Sequence, residues 1–142
     1  MVKVSNCFYC SKDERLDELM IEVCPLSATT LYLFRDQTHR GRCVLALQDH
    51  KKELFELDAH ERTQWVDDVA RAAQALFDVV KPGKINYGAF GDKNSHFHLH
   101  LVPKFEGGAA WGSMFEMSPA VKKLAGEDEL NALAVQIRAR LK

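Results

Sequence analysis

The sequence lacks a long apolar run, a signal-peptide pattern and an excess of charge of either sign. A membrane-spanning helix needs about 20 consecutive apolar residues, and no window of the 142 residues approaches that length. Residues 1–10 have neither the basic start nor the apolar core of a signal peptide, so we expect a cytoplasmic protein. The formal net charge of −1 argues against broad electrostatic binding to nucleic acid or to a membrane surface.

The chain also lacks internal repeats, low-complexity segments and linkers. A chain of this length can bury a core of its own, and we therefore predict a single domain over residues 1–142. Cysteine is scarce, with four residues, and a disulfide framework is not expected in a reducing compartment. Cys7 and Cys10 form a Cys-x-x-Cys pair that requires an explanation.

A pattern of strands is present instead. Residues 28–35 are rich in β-branched and aromatic residues, and residues 42–47 are mostly apolar. A polar turn joins them, which predicts a hairpin. Residues 84–90 and 95–102 predict two more strands around a second turn. Residues 12–23 predict either a short helix or an irregular segment.

Two helices complete the predicted fold. Asp58 and Glu61 have the spacing of a capping box, and apolar residues follow at helical spacing over residues 65–80. Pro82 ends this long helix. Residues 130–141 predict an amphipathic C-terminal helix. Strand pairs on either side of a long helix predict an α+β domain with a mainly antiparallel sheet.

Three histidines alternate with apolar residues in the run HFHLHLV at residues 96–102. Alternate residues of a strand point to one face, so His96, His98 and His100 are predicted to share a face at intervals of about 6.5 to 7 Å. That spacing is too wide for one metal ion with metal–nitrogen bonds of about 2.0 to 2.1 Å. The three side chains are therefore expected to divide their roles. His39 and His60, outside the run, are expected to be solvated.

The run resembles the signature of the histidine triad (HIT) family, in which three histidines alternate with apolar residues. Further likenesses follow in order over residues 5–105. The Cys-x-x-Cys pair is similar to that of one branch of the family, and residues 41–50 are similar to a family stretch that ends in a histidine. The resemblance implies a nucleotide hydrolase or transferase that acts at an α-phosphate.

The resemblance also implies roles for single residues. His98 would be the nucleophile and form a phosphoramidate, with its other ring nitrogen donating to a backbone carbonyl. His100 would contact the phosphoryl oxygens and help to protonate the leaving group. Asp36 would bind the ribose, and Asn86 would orient the phosphate or the neighbouring imidazole. Arg42 stands where the family usually has a histidine, and arginine can bind a phosphate with two hydrogen bonds.

A Cys-x-x-Cys pair in a cytoplasmic protein is either a redox motif or half of a metal site. A redox motif of the thioredoxin type follows a strand in a βαβ unit, which this N-terminal region does not show. A zinc site needs two more ligands, and His50 and His96 are the candidates. In the cysteine-containing branch of the family, ligands at these positions complete a structural zinc site, here Cys7, Cys10, His50 and His96. The alternative is a pair of reduced cysteines without metal.

Several functions stay open at this point. The first is hydrolysis of a purine nucleotide conjugate, either a nucleoside phosphoramidate or a dinucleoside polyphosphate. The second is nucleotidyl transfer, although the related phosphorylases often have glutamine at the third triad position, where this chain has His100. The third is a nucleotide sensor without turnover. The resemblance also implies a homodimer, and the sequence does not select the base or the leaving group.

Overall fold

The computed structural model describes residues 1–141, in which five strands form one antiparallel sheet. The strands are β1 (Met20–Pro25), β2 (Thr29–Phe34), β3 (Cys43–Leu47), β4 (Lys84–Gly88) and β5 (His98–Lys104). Their order across the sheet is β1-β2-β3-β5-β4. The strand with the last two histidines of the run therefore lies between β3 and the edge strand β4.

Four α-helices accompany the sheet in this part of the chain: α1 (Phe8–Ser11), α2 (Glu14–Asp17), α3 (Ala59–Val80) and α4 (Glu127–Arg140). A single 3-10 turn, Leu54–Glu56, precedes α3. No helix of residues 1–141 has both the length and the apolar character required to cross a bilayer. The architecture is the predicted α+β fold, which is confirmed.

The capping box at the start of α3 is formed as predicted. Asp58 accepts a hydrogen bond from the backbone N–H of Glu61 at 2.8 Å, and the Glu61 carboxylate accepts one from the N–H of Asp58 at 3.2 Å. The helix ends at Lys81, which has the left-handed φ of 51° that commonly terminates helices. Pro82 follows and cannot continue the helix. Both ends of this helix are therefore encoded locally.

The two faces of the sheet carry different residues. Leu99 and Leu101 of β5 belong to the main core, which α3 and α4 cover. The alternate residues His98 and His100 point to the opposite face, because side chains alternate along a strand. The short helices α1 and α2 cover part of that second face with a smaller apolar cluster. The N-terminal cysteines and the histidines are thus brought to the same side of the sheet.

Two predicted boundaries were wrong. Residues 12–23 contain the short helix α2, one of the two predicted alternatives, but also the start of β1, which was not predicted, so the sheet has an additional edge strand. A bulge between Glu22 and Cys24 interrupts the alternation of buried and exposed side chains in β1. The two-residue period of a strand is therefore not visible in the sequence. The last strand begins at His98 and continues to Lys104, so His96 lies before the strand. The three histidines therefore do not share one strand face.

Candidate functional site

The structure brings the four predicted zinc ligands together. Their ligand atoms lie within 4.8 Å of one another, although the residues come from the α1 region, the end of β3 and the approach to β5: Cys7, Cys10, His50 and His96. The separate distances are 3.4 Å from Cys7 Sγ to His96 Nδ1, 3.3 Å from Cys10 Sγ to His50 Nδ1 and 3.1 Å between the two Nδ1 atoms.

These distances agree with the dimensions of a tetrahedral zinc site. Zinc bonds of about 2.3 Å to sulfur and 2.0 to 2.1 Å to nitrogen separate sulfur from nitrogen by about 3.6 Å and two nitrogens by about 3.3 Å. The tautomer of His96 also fits, since its Nε2 lies 2.7 Å from the carbonyl oxygen of Leu47 and must donate to it. The Nδ1 lone pair of His96 therefore points to the cysteine sulfurs and His50. Burial lowers the pKa of His96 to about 4, which keeps this ring neutral.

Tyr9 links the cysteine pair to the histidines. It lies in α1 between Cys7 and Cys10, is 5% exposed and packs with its ring centroid 5.2 Å from those of both His96 and His98. An aromatic ring against two imidazoles restricts their rotation. A role for Tyr9 was not predicted from the sequence, and its position inside the Cys-x-x-Cys pair was the available signal.

His98 is held in one tautomer by the backbone of His96. Its Nδ1 lies 2.7 Å from the carbonyl oxygen of His96, and because a carbonyl only accepts, Nδ1 carries the proton. The lone pair is then on Nε2. Burial lowers the pKa of His98 below its usual value, which favours the neutral ring. A neutral imidazole with a free Nε2 can act as a nucleophile.

His100 lies two residues along β5 and contacts Arg42 of the strand β3 region. Arg42 Nη2 is 3.3 Å from His100 Nδ1, and the guanidinium carbon lies 4.3 Å from the centroid of the Phe34 ring. Burial, and to a lesser extent the charge of Arg42, lower the pKa of His100 to about 3. His100 is therefore neutral at physiological pH.

A cavity of about 470 Å³ opens beside His98 and His100. The polar segment 91–94 forms one side, and an apolar wall forms another, made by Phe90, Met114, Phe115 and Met117. Gly88, which pairs with His100 across β4 and β5, leaves room for this wall, since a Cβ there would lie 2.7 Å from the Phe90 ring. Phe90 and Phe115 were not predicted from the sequence to belong to the site.

Asp36 and Asn86 line two other cavities, not the one beside His98 and His100. The Asp36 carboxylate accepts from the N–H and hydroxyl of Thr38, at 3.1 and 2.7 Å, and from the N–H of Lys123 at 3.1 Å. Asn86 lies on β4, where it pairs with Val102 of β5. Together with Lys104 it lines a cavity of about 340 Å³. The ribose and phosphate roles of Asp36 and Asn86 remain predictions.

Two other histidine predictions differ in outcome. His60 is exposed, as expected. His39 is 3% exposed, so its predicted solvation was wrong. Its ring packs edge-on against Phe115 at a centroid distance of 6.3 Å. The segment that carries Phe115 is far away in sequence, and local polarity around His39 gave no sign of this contact.

The comparisons with known proteins concern the whole chain. No protein-family model matches the sequence, and the comparison with curated proteins found no match. A solved histidine triad protein from Sinorhizobium meliloti 1021 matches with a TM-score of 0.83 and 25% identity, covering 91% of this chain and 95% of that one. The chain has the histidine triad fold. The resemblance inferred from residues 96–102 is thereby confirmed.

Two structures of lower sequence identity also have the HIT fold. A zinc-bound histidine triad family protein from Mycobacterium smegmatis matches with a TM-score of 0.63 and 17% identity, over 96% of this chain and 93% of that one. A hypothetical histidine triad nucleotide-binding protein from Sulfolobus tokodaii strain7 matches with a TM-score of 0.70 and 19% identity, over 95% and 91%. At these identities the likeness is one of fold alone.

Proposed function

We propose that this HIT-fold protein is a nucleotide phosphohydrolase that cleaves a purine nucleotide conjugate at its α-phosphate through a phosphoramidate on His98. The observation that carries the proposal is the 2.7 Å contact between His98 Nδ1 and the carbonyl oxygen of His96. It leaves the Nε2 lone pair for phosphorus, in a residue that lines a cavity of about 470 Å³. The proposed substrates are nucleoside phosphoramidates and dinucleoside polyphosphates.

In the first step, the Nε2 lone pair of His98 forms a bond to the α-phosphorus. The bond from phosphorus to the leaving group breaks, its electron pair goes to the leaving group, and the leaving group takes its proton from water. In the second step, water attacks phosphorus and the bond from phosphorus to Nε2 breaks, which returns the electron pair to His98. The protons of water end on the departed group and the nucleoside monophosphate, so the imidazole is regenerated.

His100 acts as a hydrogen-bond donor in this proposal. A neutral ring whose Nε2 carries the proton can donate to a phosphoryl oxygen as negative charge develops there. The low pKa of His100, about 3, supports this predicted contact. The same pKa disfavours the other predicted role, direct protonation of the leaving group, because that role needs a charged ring at neutral pH.

The nucleobase is proposed to pack against the apolar wall of the cavity. The rings of Phe90 and Phe115 have centroids 6.2 Å apart, and Phe90 is 47% exposed and available for stacking. Stacking of a base on an aromatic side chain contributes about 1 to 3 kcal/mol and tolerates different bases. The wall therefore supports binding of a planar ring without selecting purine identity.

A hydrolysis screen tests the proposal. Adenosine phosphoramidate, diadenosine tetraphosphate and the guanosine analogues are incubated with the wild type and with His98→Ala. We expect turnover by the wild type alone, and a nucleotidyl adduct in its mass spectrum after an alkaline quench, because phosphoramidates are labile in acid. Tight nucleotide binding with equal, negligible turnover in both proteins favours the sensor. Product that appears only with an added phosphate acceptor favours the transferase.

We also propose that Cys7, Cys10, His50 and His96 hold a structural zinc ion. The support is the compact set of four ligand atoms and the orientation of His96 by Leu47. The zinc would be closed to water and would connect the N-terminal region to β5. Metal analysis of protein purified without added zinc tests it, and a metal-free wild type contradicts it.

Two further features complete the proposal. We propose a homodimer, for which β4 offers an unpaired sheet edge with Phe77 and Tyr87 exposed beside it, at 46% and 52%. Light scattering after gel filtration tests it, and a monomer at micromolar concentration contradicts it.

We also propose a cytoplasmic location, which agrees with four cysteines in thiol form within residues 1–141.

A further inference from the structure

Arg42 is buried at the back of the histidine site. Its side chain is 1% exposed, and its Nη1 donates to the carbonyl oxygens of Met117 and Glu116 at 3.0 and 3.4 Å. The other terminal nitrogen, Nη2, faces His100 Nδ1 at 3.3 Å. Burial lowers the pKa of Arg42 to about 10, so the group is still charged at neutral pH. The cavity of about 470 Å³ is lined by His100 but not by Arg42, which lines a separate cavity of about 180 Å³ with Asp36.

The contact between Arg42 and His100 determines where the histidine carries its proton. Arginine has N–H donors and no acceptor. His100 Nδ1 must therefore accept, and the single proton of the neutral ring must be on Nε2. The opposite tautomer would place two N–H donors 3.3 Å apart. A hydrogen-bond donor at Nε2 is what a phosphoryl oxygen in the cavity requires.

The same guanidinium holds one wall of the cavity. We call residues 113–118 the wall segment; it has no helix or strand. Arg42 binds two of its carbonyl groups, and its guanidinium carbon lies 5.5 Å from the centroid of the Phe115 ring. At the other end, Lys104 donates to the carbonyl oxygen of Ser113. Arg42 therefore contacts both His100 and the wall segment. Lys104 hydrogen-bonds to the wall segment but not to His100.

We propose that Arg42 is a positioning residue that keeps His100 in the Nε2–H tautomer and ties its ring to the wall segment. The effect of Arg42 on turnover rests on the proposed function, whereas its effect on the His100 tautomer does not. It replaces the predicted phosphate grip by Arg42, because the terminal nitrogens of Arg42 are engaged by two carbonyl oxygens, a methionine sulfur and His100. A lysine ammonium lacks the planar fork that reaches these partners together.

The test is the nitrogen-15 NMR spectrum of the His100 ring in the protein as purified, for the wild type, Arg42→Met and the control Lys104→Met. In the wild type we expect an unprotonated Nδ1 and a protonated Nε2. In Arg42→Met we expect the two tautomers to mix, with averaged nitrogen shifts. Lys104→Met removes a hydrogen bond to the wall segment that does not involve His100, and it should leave the His100 shifts unchanged.

Three results would overturn the proposal: a wild-type His100 protonated on Nδ1, unchanged shifts in Arg42→Met, or an equal change in Lys104→Met. If Arg42→Met does not fold, Arg42→Lys replaces it in the same comparison, and a wild-type His100 protonated on Nδ1 still overturns the proposal. These spectra do not need a substrate, so they are independent of whether the protein hydrolyses nucleotides.

Kinetics then separate positioning from phosphate binding. For Arg42→Met we expect kcat to fall on the order of 10- to 100-fold with KM nearly unchanged. A rise in KM that grows with the number of substrate phosphates, at constant kcat, would show that Arg42 binds phosphate and would contradict the positioning role.

Discussion

His98 Nδ1 lies 2.7 Å from the carbonyl oxygen of His96, so the backbone of a candidate zinc ligand sets the tautomer of the candidate nucleophile. His96 is itself held by its side chain, which donates to Leu47 at 2.7 Å and contacts Cys7 Sγ at 3.4 Å. A substitution that displaces His96 is therefore expected to displace the carbonyl oxygen that holds the His98 ring.

Cys7→Ser is expected to remove the zinc and to lower both stability and turnover. Loss of one ligand should reduce the free energy of unfolding by about 2 to 3 kcal/mol and Tm by roughly 5 to 10 °C. The measurements are metal content, Tm and hydrolysis rate. The matched control is Cys24→Ser, because Cys24 is outside the four-ligand cluster. Equal metal content in the two variants would contradict a zinc site at Cys7.

His98→Ala is expected to reduce kcat by at least about 10³-fold while nucleotide binding persists, because the nucleophile is lost and the cavity is kept. The rate is measured with adenosine phosphoramidate and the affinity by calorimetry. His60→Ala is the control, since His60 is exposed on α3. A variant with most of the wild-type rate would exclude His98 as the nucleophile.

Phe90→Ala is expected to raise KM by roughly 10-fold with a small effect on Tm, because Phe90 is half-exposed and one base-stacking contact contributes about 1 to 3 kcal/mol. The control is Phe55→Ala, which removes an exposed phenylalanine outside the cavity lining described for residues 1–141. If both variants have the same KM as the wild type, the nucleobase does not pack on Phe90.

Asp36→Asn is expected to lower the free energy of unfolding by about 1 kcal/mol at pH 7, since the charge-assisted part of three hydrogen bonds is lost. Burial alone would raise the pKa of Asp36, but the hydrogen bonds from Thr38 and Lys123 outweigh it and lower the pKa. A lowered folded-state pKa gives stability that is present above the unfolded pKa and lost as pH falls through the folded one.

The stability difference between wild type and Asp36→Asn should therefore shrink as pH falls from about 4 toward 2. Urea unfolding over pH 2 to 7 measures it. A difference that stays constant over this range would show that the Asp36 charge does not stabilise the fold. An increase in KM without any change in stability would favour the predicted ribose contact.

The sequence by itself determined the features that depend on near neighbours in the chain. The capping box of Asp58 and Glu61, the helical period of residues 65–80 and the alternation of residues 98–102 are local patterns. They were sufficient for the α+β fold and the resemblance to HIT proteins. The number and type of zinc-ligand candidates were also readable, because a Cys-x-x-Cys pair needs two partners.

Only the tertiary structure decided how these residues are used, because the contacts that decide it join distant parts of the chain. His96 leaves the strand and meets Cys7, 89 residues away. Arg42 Nη2 lies 3.3 Å from His100 Nδ1, 58 residues away, whereas the phosphate contact expected from arginine chemistry stays a prediction. Asp36 accepts from Lys123, 87 residues away. Side-chain chemistry can be read from sequence, but a tautomer or a hydrogen-bond partner depends on which groups the packed sheet brings within 3.5 Å.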